Sequence, residues 1–229
     1  MREIVLDTET TGLDPEQGHK IVEIGCVELV NHMPTGRTFQ EYLNPEREME
    51  AEVIAVHGIT NEFLKDKPVF KQIAEKFINF IGTDSKLVIH NAAFDMKFLN
   101  AELTAAGFEK LSYDRVIDTL IIARQKFPGS RVNLNELCKR FNVDLSRRTV
   151  HGALLDSELL AEVYLELIGG REPGLVLNSK SSQKQSIEQI ETPIQRTFHE
   201  PRSFPVSKEE LEAHQEFLTK IENCLWGEV

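Results

Sequence analysis

Acidic side chains set among apolar ones constrain this chain more than any other feature. Asp7 and Glu9 close the run Ile4-Val5-Leu6, Asp95 follows Ala92-Ala93-Phe94, and Asp156 follows Leu154-Leu155. A carboxylate withdrawn from water is costly unless a cation neutralises it, and two divalent metal ions would do so. A fold for this sequence has to gather three short blocks, residues 7–12, 91–95 and 151–156, around such charge.

With 229 residues the chain can bury one large core and leave a tail over, so one catalytic domain plus an appendage is expected. Its composition, 41% hydrophobic and 28% charged, is ordinary for a soluble globular protein, and no apolar run is long enough to span a bilayer. The first residues pass directly into a strand-like pattern, which leaves no room for a cleavable signal and points to the cytoplasm. Cys26, Cys138 and Cys224 show no paired spacing, so reduced, packed thiols are expected rather than disulfides or a zinc knuckle. The formal net charge of −11 argues against a long duplex-binding face, which would be basic. A nucleic-acid substrate would need a partner to deliver it.

Residues 2–8, 21–30 and 37–43 are rich in Ile, Val, Leu, Phe and Tyr, with turn material at 12–18 and 31–36. This predicts three successive strands in an antiparallel meander. Val69, Ile73, Phe77, Phe80 and Ile81 fall on one helical face between Pro68 and Gly82. Residues 86–90 read as a short buried strand. Asn91 can cap a following helix, in which Phe94, Phe98, Leu99 and Leu103 face inward until Gly107 ends it. Val116-Ile117 fit a last strand, and helical periodicity returns at 118–126, 133–141 and 153–168. Strands first, then strand and helix in alternation, predict an α/β domain whose mixed central sheet is flanked by helices.

Composition changes after Gly169-Gly170. Residues 171–206 are polar, carry several prolines and show no period, so a flexible linker is expected between a domain at 1–170 and a tail at 207–229. Its root-mean-square reach would be roughly 30–36 Å. In the tail, Ser207 and Glu210 form a capping-box pattern, and Leu211, His214, Leu218, Ile221 and Leu225 lie along one face. A lone amphipathic helix cannot bury that face against itself. Docking on a partner protein is the favoured reading, and folding back on the first domain is the alternative.

The acidic blocks suit one chemistry. Asp7 and Glu9, two apart on a strand, share a face and can share a metal ion, although such pairs also occur on solvated strands. Gly12 would let the chain turn away beyond them. Asp95 is a candidate third ligand, although a helix N-terminus alone favours an acid there. Asp156 lies on the stripe of Leu160, Val163 and Leu167, whereas Glu158, Glu162 and Glu166 form a separate, solvated face. His151 would sit about 140° away from Asp156 on a continuous helix, but Gly152 allows it to occupy the preceding loop and swing toward the metals. An exposed loop histidine is the plainer alternative. Together these residues fit two-metal phosphodiester hydrolysis with His151 as general base. An imidazole ordinarily titrates near pH 6.5, so a rate rising through that region is expected.

The order Asp-x-Glu-Thr-Thr-Gly, Asn-Ala-x-Phe-Asp and His-x-x-x-x-Asp resembles the exonuclease superfamily named for its four acidic residues, in the branch with histidine in the third motif. The resemblance runs over residues 4–168 and includes Val56-His57-Gly58-Ile59-Thr60 and Leu87-Val88-Ile89-His90-Asn91. It implies an RNase H-like fold, two divalent ions, Mg²⁺ or Mn²⁺, and 3′-to-5′ release of nucleoside 5′-monophosphates. It also implies that Asp7, Glu9, Asp95 and Asp156 bind the metals and that His151 is the base. Glu52, His57, Asn91 and Phe94, with Asp7, Glu9 and Asp156, would meet the substrate; a core role for Phe94 and a capping role for Asn91 are the alternatives.

The tail segments Thr192-Pro193-Ile194-Gln195-Arg196, Glu209-Glu210-Leu211-Glu212-Ala213-His214 and Cys224-Leu225-Trp226 are similar to the polymerase-binding tail of bacterial replicative proofreading subunits. This implies a polymerase partner that holds the duplex while the domain accepts a single-stranded or frayed 3′ end. Unpaired ends are easier to extrude, which would favour mismatches. One departure is Arg171-Glu172-Pro173-Gly174-Leu175-Val176-Leu177, where the family often has a glutamine-led hydrophobic motif; this puts a sliding-clamp contact in doubt. Two rival readings are an RNA-trimming or oligonucleotide-clearing exonuclease and a non-catalytic scaffold that stabilises a polymerase. The linker and capped terminal helix speak against the first, and the filled chemical positions against the second.

Overall fold

The computed structural model describes residues 1–146, 148, 150–169 and 206–220. They fall into two units, one within Met1–Leu177 and one within Asn178–Val229.

In the first unit, Ile4, Val5 and Leu6 are all fully buried. Their strand, β1 (Arg2–Thr10), therefore lies inside the sheet with both faces covered. It pairs antiparallel with β2 (Ile21–Val30), which pairs antiparallel with β3 (Met33–Tyr42). On its other side it runs parallel to β4 (Lys86–Ile89), and β4 runs parallel to β5 (Val116–Asp118). The result is a mixed five-stranded sheet of order β3-β2-β1-β4-β5, the α/β architecture expected from the sequence. β3 starts at Met33 rather than at residue 37, because Asn31 and His32 both take positive φ (50° and 66°) and close a two-residue hairpin. Much of β3 is exposed, so apolar content did not mark its beginning.

Two short helices that no periodicity announced, α1 (Ala51–His57) and α2 (Asn61–Leu64), follow β3. The expected helices then appear in order: α3 (Phe70–Ile81), α4 (Ala92–Ala106), α5 (Thr119–Lys126), α6 (Leu134–Phe141) and α7 (Ala153–Leu167). Ile4 and Leu6 pack with Ile24, Cys26 and Phe39 against α3 and α4 through Phe77, Phe98 and Leu99. Val5, Val27, Leu29 and Val88 point the other way, onto Leu160, Ala161 and Tyr164 of α7. A satellite core of Ala123, Leu137, Cys138, Leu159 and Val163 ties α5 and α6 to α7. Cys26 and Cys138 are free, buried thiols.

The expected cap of α4 is a correction. Asn91 adopts the left-handed conformation (φ 68°) and its side chain makes no capping hydrogen bond. The Asn91 and Ala92 N–H groups instead donate to Asp118 Oδ1 (3.2 Å) and Oδ2 (3.1 Å). The charge at this helix start comes from the end of β5, which sequence proximity could not reveal.

The second unit contains α8 (Lys208–Leu218). Its capping box is formed: Glu210 N–H donates to Ser207 Oγ (3.2 Å) and Ser207 N–H to Glu210 Oε2 (2.9 Å). Leu211 and Phe217 are exposed. Apart from Val206, the expected linker lies outside the described residues, as do Ile221, Cys224, Leu225 and Trp226.

Candidate active site

Strand parity aims the first acidic pair. Val5 faces α7, and Asp7 and Glu9 continue its odd-numbered face, whereas Thr8 turns toward α4. There Thr8 Oγ1 donates to Asp95 Oδ1 at 2.7 Å, inside the protein. Asp95 is 3% exposed, so the helix dipole does not account for it as a surface acid would require. Asp156 is 4% exposed on the buried stripe of α7. Glu9, His151 and Asp156 each offer one ligand atom, all within 4.8 Å of one another.

The resulting field is strongly negative. Burial, followed by repulsion from Asp95, Glu9, Asp156 and Glu23, holds the Asp7 carboxyl well above its ordinary range. Glu9 is pushed up to about 8 by burial and by Asp156, Glu23 and Asp95. Asp95 reaches about 7, chiefly through burial, despite the hydrogen bond from Thr8. Asp156 moves the other way: burial opposes its ionisation, but hydrogen bonds from Arg148 outweigh that penalty. Arg148 Nε donates to Asp156 Oδ1 (2.5 Å) and Nη2 to Oδ2 (2.6 Å).

His151 occupies the loop before α7, about half exposed, with Nδ1 3.4 Å from Asp156 Oδ2. Arg148 Nη2 lies 2.8 Å from the same Nδ1. A guanidinium only donates, so Nδ1 accepts, and the guanidinium bridges the imidazole and the carboxylate.

The docking of α7 on β2 sets these positions. Glu23 Oε2 accepts the Ala153 N–H (3.1 Å), and Ser157 Oγ donates to the Gly25 carbonyl (2.9 Å). A Cβ at Gly25 would lie 2.2 Å from backbone atoms of Ala153 and Leu154, so only glycine permits this approach. Gly25→Ala should displace the start of α7, cost about 1–3 kcal/mol of stability and lower activity through His151 and Asp156. Thermal melts and turnover measured together would check this; unchanged activity would contradict it.

Beside the carboxylates, Thr10, Leu13, Glu52, Val56, His57 and Phe94 line a mainly apolar cleft. Glu52 is exposed on α1 and Leu13 is 84% exposed. Phe94 packs on Phe98 (ring centroids 5.0 Å apart) and also lines the cleft. Asn91 is exposed and does not line it. His57 is 4% exposed, its Nδ1 accepts the Ile59 N–H (3.0 Å), and its Nε2 has no partner among the described residues. With Nδ1 accepting, the proton of the neutral ring sits on Nε2, a buried donor without an acceptor. The chain bends at Thr11, Gly12 and Leu13 as expected, and a Cβ on Gly12 would also collide with the His19 ring at 2.3 Å.

Sequence reasoning missed Arg148, Glu23 and Gly25. For Arg148 a signal existed, because Asp156 on an inward stripe demanded a cation and Arg147-Arg148 precede it closely. Glu23 and Gly25 act through packing partners 130 and 132 residues away, which no local pattern discloses. The donor set itself fits hard divalent cations, since it is dominated by carboxylate oxygens whose mutual repulsion such charge would relieve.

Comparison with known proteins agrees with this geometry. A sequence model of the family described as Exonuclease matches residues 4–164. DNA polymerase III subunit epsilon of Rickettsia felis is 52% identical over 224 residues, covering 96% of this chain and 97% of the relative. The protein of the same name from Escherichia coli is 43% identical over 236 residues, covering 98% and 97%. Among solved structures, Exonuclease X in complex with 5′-overhanging duplex DNA superposes with a TM-score of 0.57 at 25% identity, covering 72% of this chain and 90% of that one. The nuclease domain of 3′hExo, a DEDDh family member bound to rAMP, gives a TM-score of 0.62 at 24% identity, covering 73% and 92%, and supports the shared fold. The chain belongs to the exonuclease family and, within it, to the family of DNA polymerase III epsilon subunits.

Proposed function

We propose that this chain is the 3′-to-5′ proofreading exonuclease of a bacterial DNA polymerase III, hydrolysing the 3′-terminal phosphodiester of DNA. The observation that carries the reading is the convergence of Asp7, Glu9, Asp95 and Asp156, carboxyl groups that repel one another, with His151 close to Glu9 and Asp156. Asp7, Glu9, Asp95 and Asp156 would hold two divalent ions, Mg²⁺ or Mn²⁺. Those ions, when bound, stabilise charge on the phosphate and acidify the attacking water. His151 takes the proton from that water, whose oxygen forms the new bond to phosphorus as the bond to the 3′ oxygen of the penultimate nucleotide breaks. The 3′ oxygen leaves and gains a proton, and the terminal residue departs as a nucleoside 5′-monophosphate.

Leu13, Val56 and Phe94 offer apolar surface to the terminal base, and the unpartnered Nε2–H of His57 offers a donor to the same nucleotide. Glu52 lies at the rim, where it can accept from the sugar. Asn91, away from the cleft lining, is the weakest of the proposed substrate contacts. An unpaired end costs less to bring into such a cleft than a paired one, which would supply preference for frayed or mismatched termini.

The polymerase (alpha) subunit is the proposed partner, held through residues 207–229, and it would supply the basic duplex grip that a chain of net charge −11 lacks. No helix among the described residues is long and apolar enough to cross a membrane, and the cytoplasm is the proposed location. Deleting residues 207–229 should leave degradation of single-stranded DNA within about twofold of the full chain and abolish co-purification with the polymerase subunit. Loss of both would place the tail in the catalytic unit.

The reading is tested by degradation of 3′-labelled single-stranded DNA, mispaired primer and RNA, with Mg²⁺ and with chelator. Metal-dependent release of 5′-mononucleotides, faster from mispaired than paired DNA, is expected. Metal-independent cleavage, or a strong preference for RNA, would overturn it.

A further inference from the structure

We propose that Arg148 is a resident counter-cation that a divalent metal ion must displace from Asp156, so that this arginine sets the affinity of the centre for metal. The inference rests on the proposed metal-dependent reading of the same cleft. Its basis is the claim of two cations on one carboxylate. Arg148 closes on both oxygens of Asp156, through Nε at 2.5 Å and Nη2 at 2.6 Å, and Nη2 also reaches His151 Nδ1 at 2.8 Å. Asp156 and His151 are two of the three residues whose ligand atoms, with Glu9, lie within 4.8 Å of one another. The guanidinium therefore occupies both oxygens of one proposed metal ligand, Asp156, and a ring nitrogen of the proposed base beside it.

The pair is secluded from water, with Arg148 8% and Asp156 5% exposed at the side chain. A charge-assisted, two-pronged contact of this kind is strong, and a dication brought to the same carboxylate would face a guanidinium at contact distance. Arg148 also has a further anchor: Nη1 donates to Asn135 Oδ1 at 2.7 Å. That bond offers a pivot about which Nε and Nη2 can leave Asp156 while the guanidinium keeps a partner. A metal-free site without an internal cation would leave four acids in mutual repulsion, and Arg148 prevents this at Asp156.

An internal competitor lowers apparent metal affinity by the factor with which it stabilises the metal-free state. Mn²⁺ binding followed by calorimetry should therefore tighten about tenfold in Arg148→Gln. Arg148→Lys, which keeps the charge and loses the planar fork, should fall between that variant and the wild type. A merely structural arginine predicts the opposite sign, because a disordered loop would weaken metal binding. In the wild type, the ¹⁵N resonance of Arg148 Nε, assigned by its absence from the Arg148→Gln spectrum, should move during Mg²⁺ titration with the midpoint of metal binding. That measurement stands even if the glutamine variant does not fold, with assignment then resting on Arg148→Lys. Unchanged or weaker Mn²⁺ binding in both variants, or an Nε resonance indifferent to Mg²⁺, would overturn the proposal while leaving the metal centre intact. Absence of Mn²⁺ binding to the wild type would overturn the functional reading as well.

Discussion

Asp7→Asn should lower the rate of 3′-terminal nucleotide release by about a thousandfold or more and, in the absence of metal, raise the melting temperature of the same protein. The two effects have one cause. Asp7 is held protonated above its ordinary range by burial and by four neighbouring carboxylates, so its negative charge is unfavourable to the fold until divalent cations arrive. Asparagine keeps the shape and removes the charge, which relieves the metal-free protein and removes a proposed ligand. Activity with Mg²⁺ and melting with chelator, measured on one preparation, check both halves. Full activity would remove Asp7 from the centre, and a lowered metal-free melting temperature would mean that the carboxylate is stabilised by something other than metal.

The second large effect is the pH dependence of stability. Glu9 rises from an ordinary value of 4.5 to about 8 and Asp95 from 3.8 to about 7. Between those limits the folded, metal-free protein retains protons that the unfolded chain has released. The stabilising contribution is complete below the unfolded values and is lost as pH climbs through the folded ones, so metal-free stability falls from about pH 5 to pH 8. Asp156, held low by Arg148, titrates on the acid side and does not oppose this trend. Glu9→Gln should flatten the slope and stabilise the metal-free protein at pH 8 by on the order of 2–4 kcal/mol, or about 5–10 °C. Mg²⁺ should raise the wild-type melting temperature more at pH 8 than at pH 5, and Glu9→Gln should lose much of that response. A metal-free stability that climbs between pH 5 and 8, or a glutamine variant with the wild-type slope, would contradict the account.

The sequence marked the acids behind these effects unequally. A buried carboxylate is a local anomaly: Asp7 after Ile4-Val5-Leu6 and Asp156 on the stripe of Leu160 and Val163 break a pattern visible within a few residues. The sheet was legible for the same reason, since β1, β2 and β4 are buried and apolar. What the sequence hid lies in contacts closed by the fold. Asp118 receives the backbone donors at the start of α4, so Asn91 is not the side-chain cap it resembled. Glu23 and Gly25 seat α7 from the neighbouring strand. Helices α1 and α2 carry exposed and mixed faces too short to establish a period, yet α1 brings Glu52 and His57 to the cleft. The orphan Nε2 of His57 can be found only once Ile59 is known to occupy Nδ1. Asp95 was the acid whose sequence context a helix dipole could explain, and its burial against Thr8 separates it from that explanation.

The central claim is that Asp7, Glu9, Asp95 and Asp156 form a divalent-metal centre. Crystals of the full chain grown with Mn²⁺ and a 3′-terminal nucleotide test it directly through anomalous scattering at the manganese edge. Two anomalous peaks bounded by these four carboxylates, with the Arg148 guanidinium moved off Asp156, are the expected result. Crystals that show the nucleotide in the cleft but no manganese among the carboxylates, with Arg148 still closed on Asp156, would contradict it.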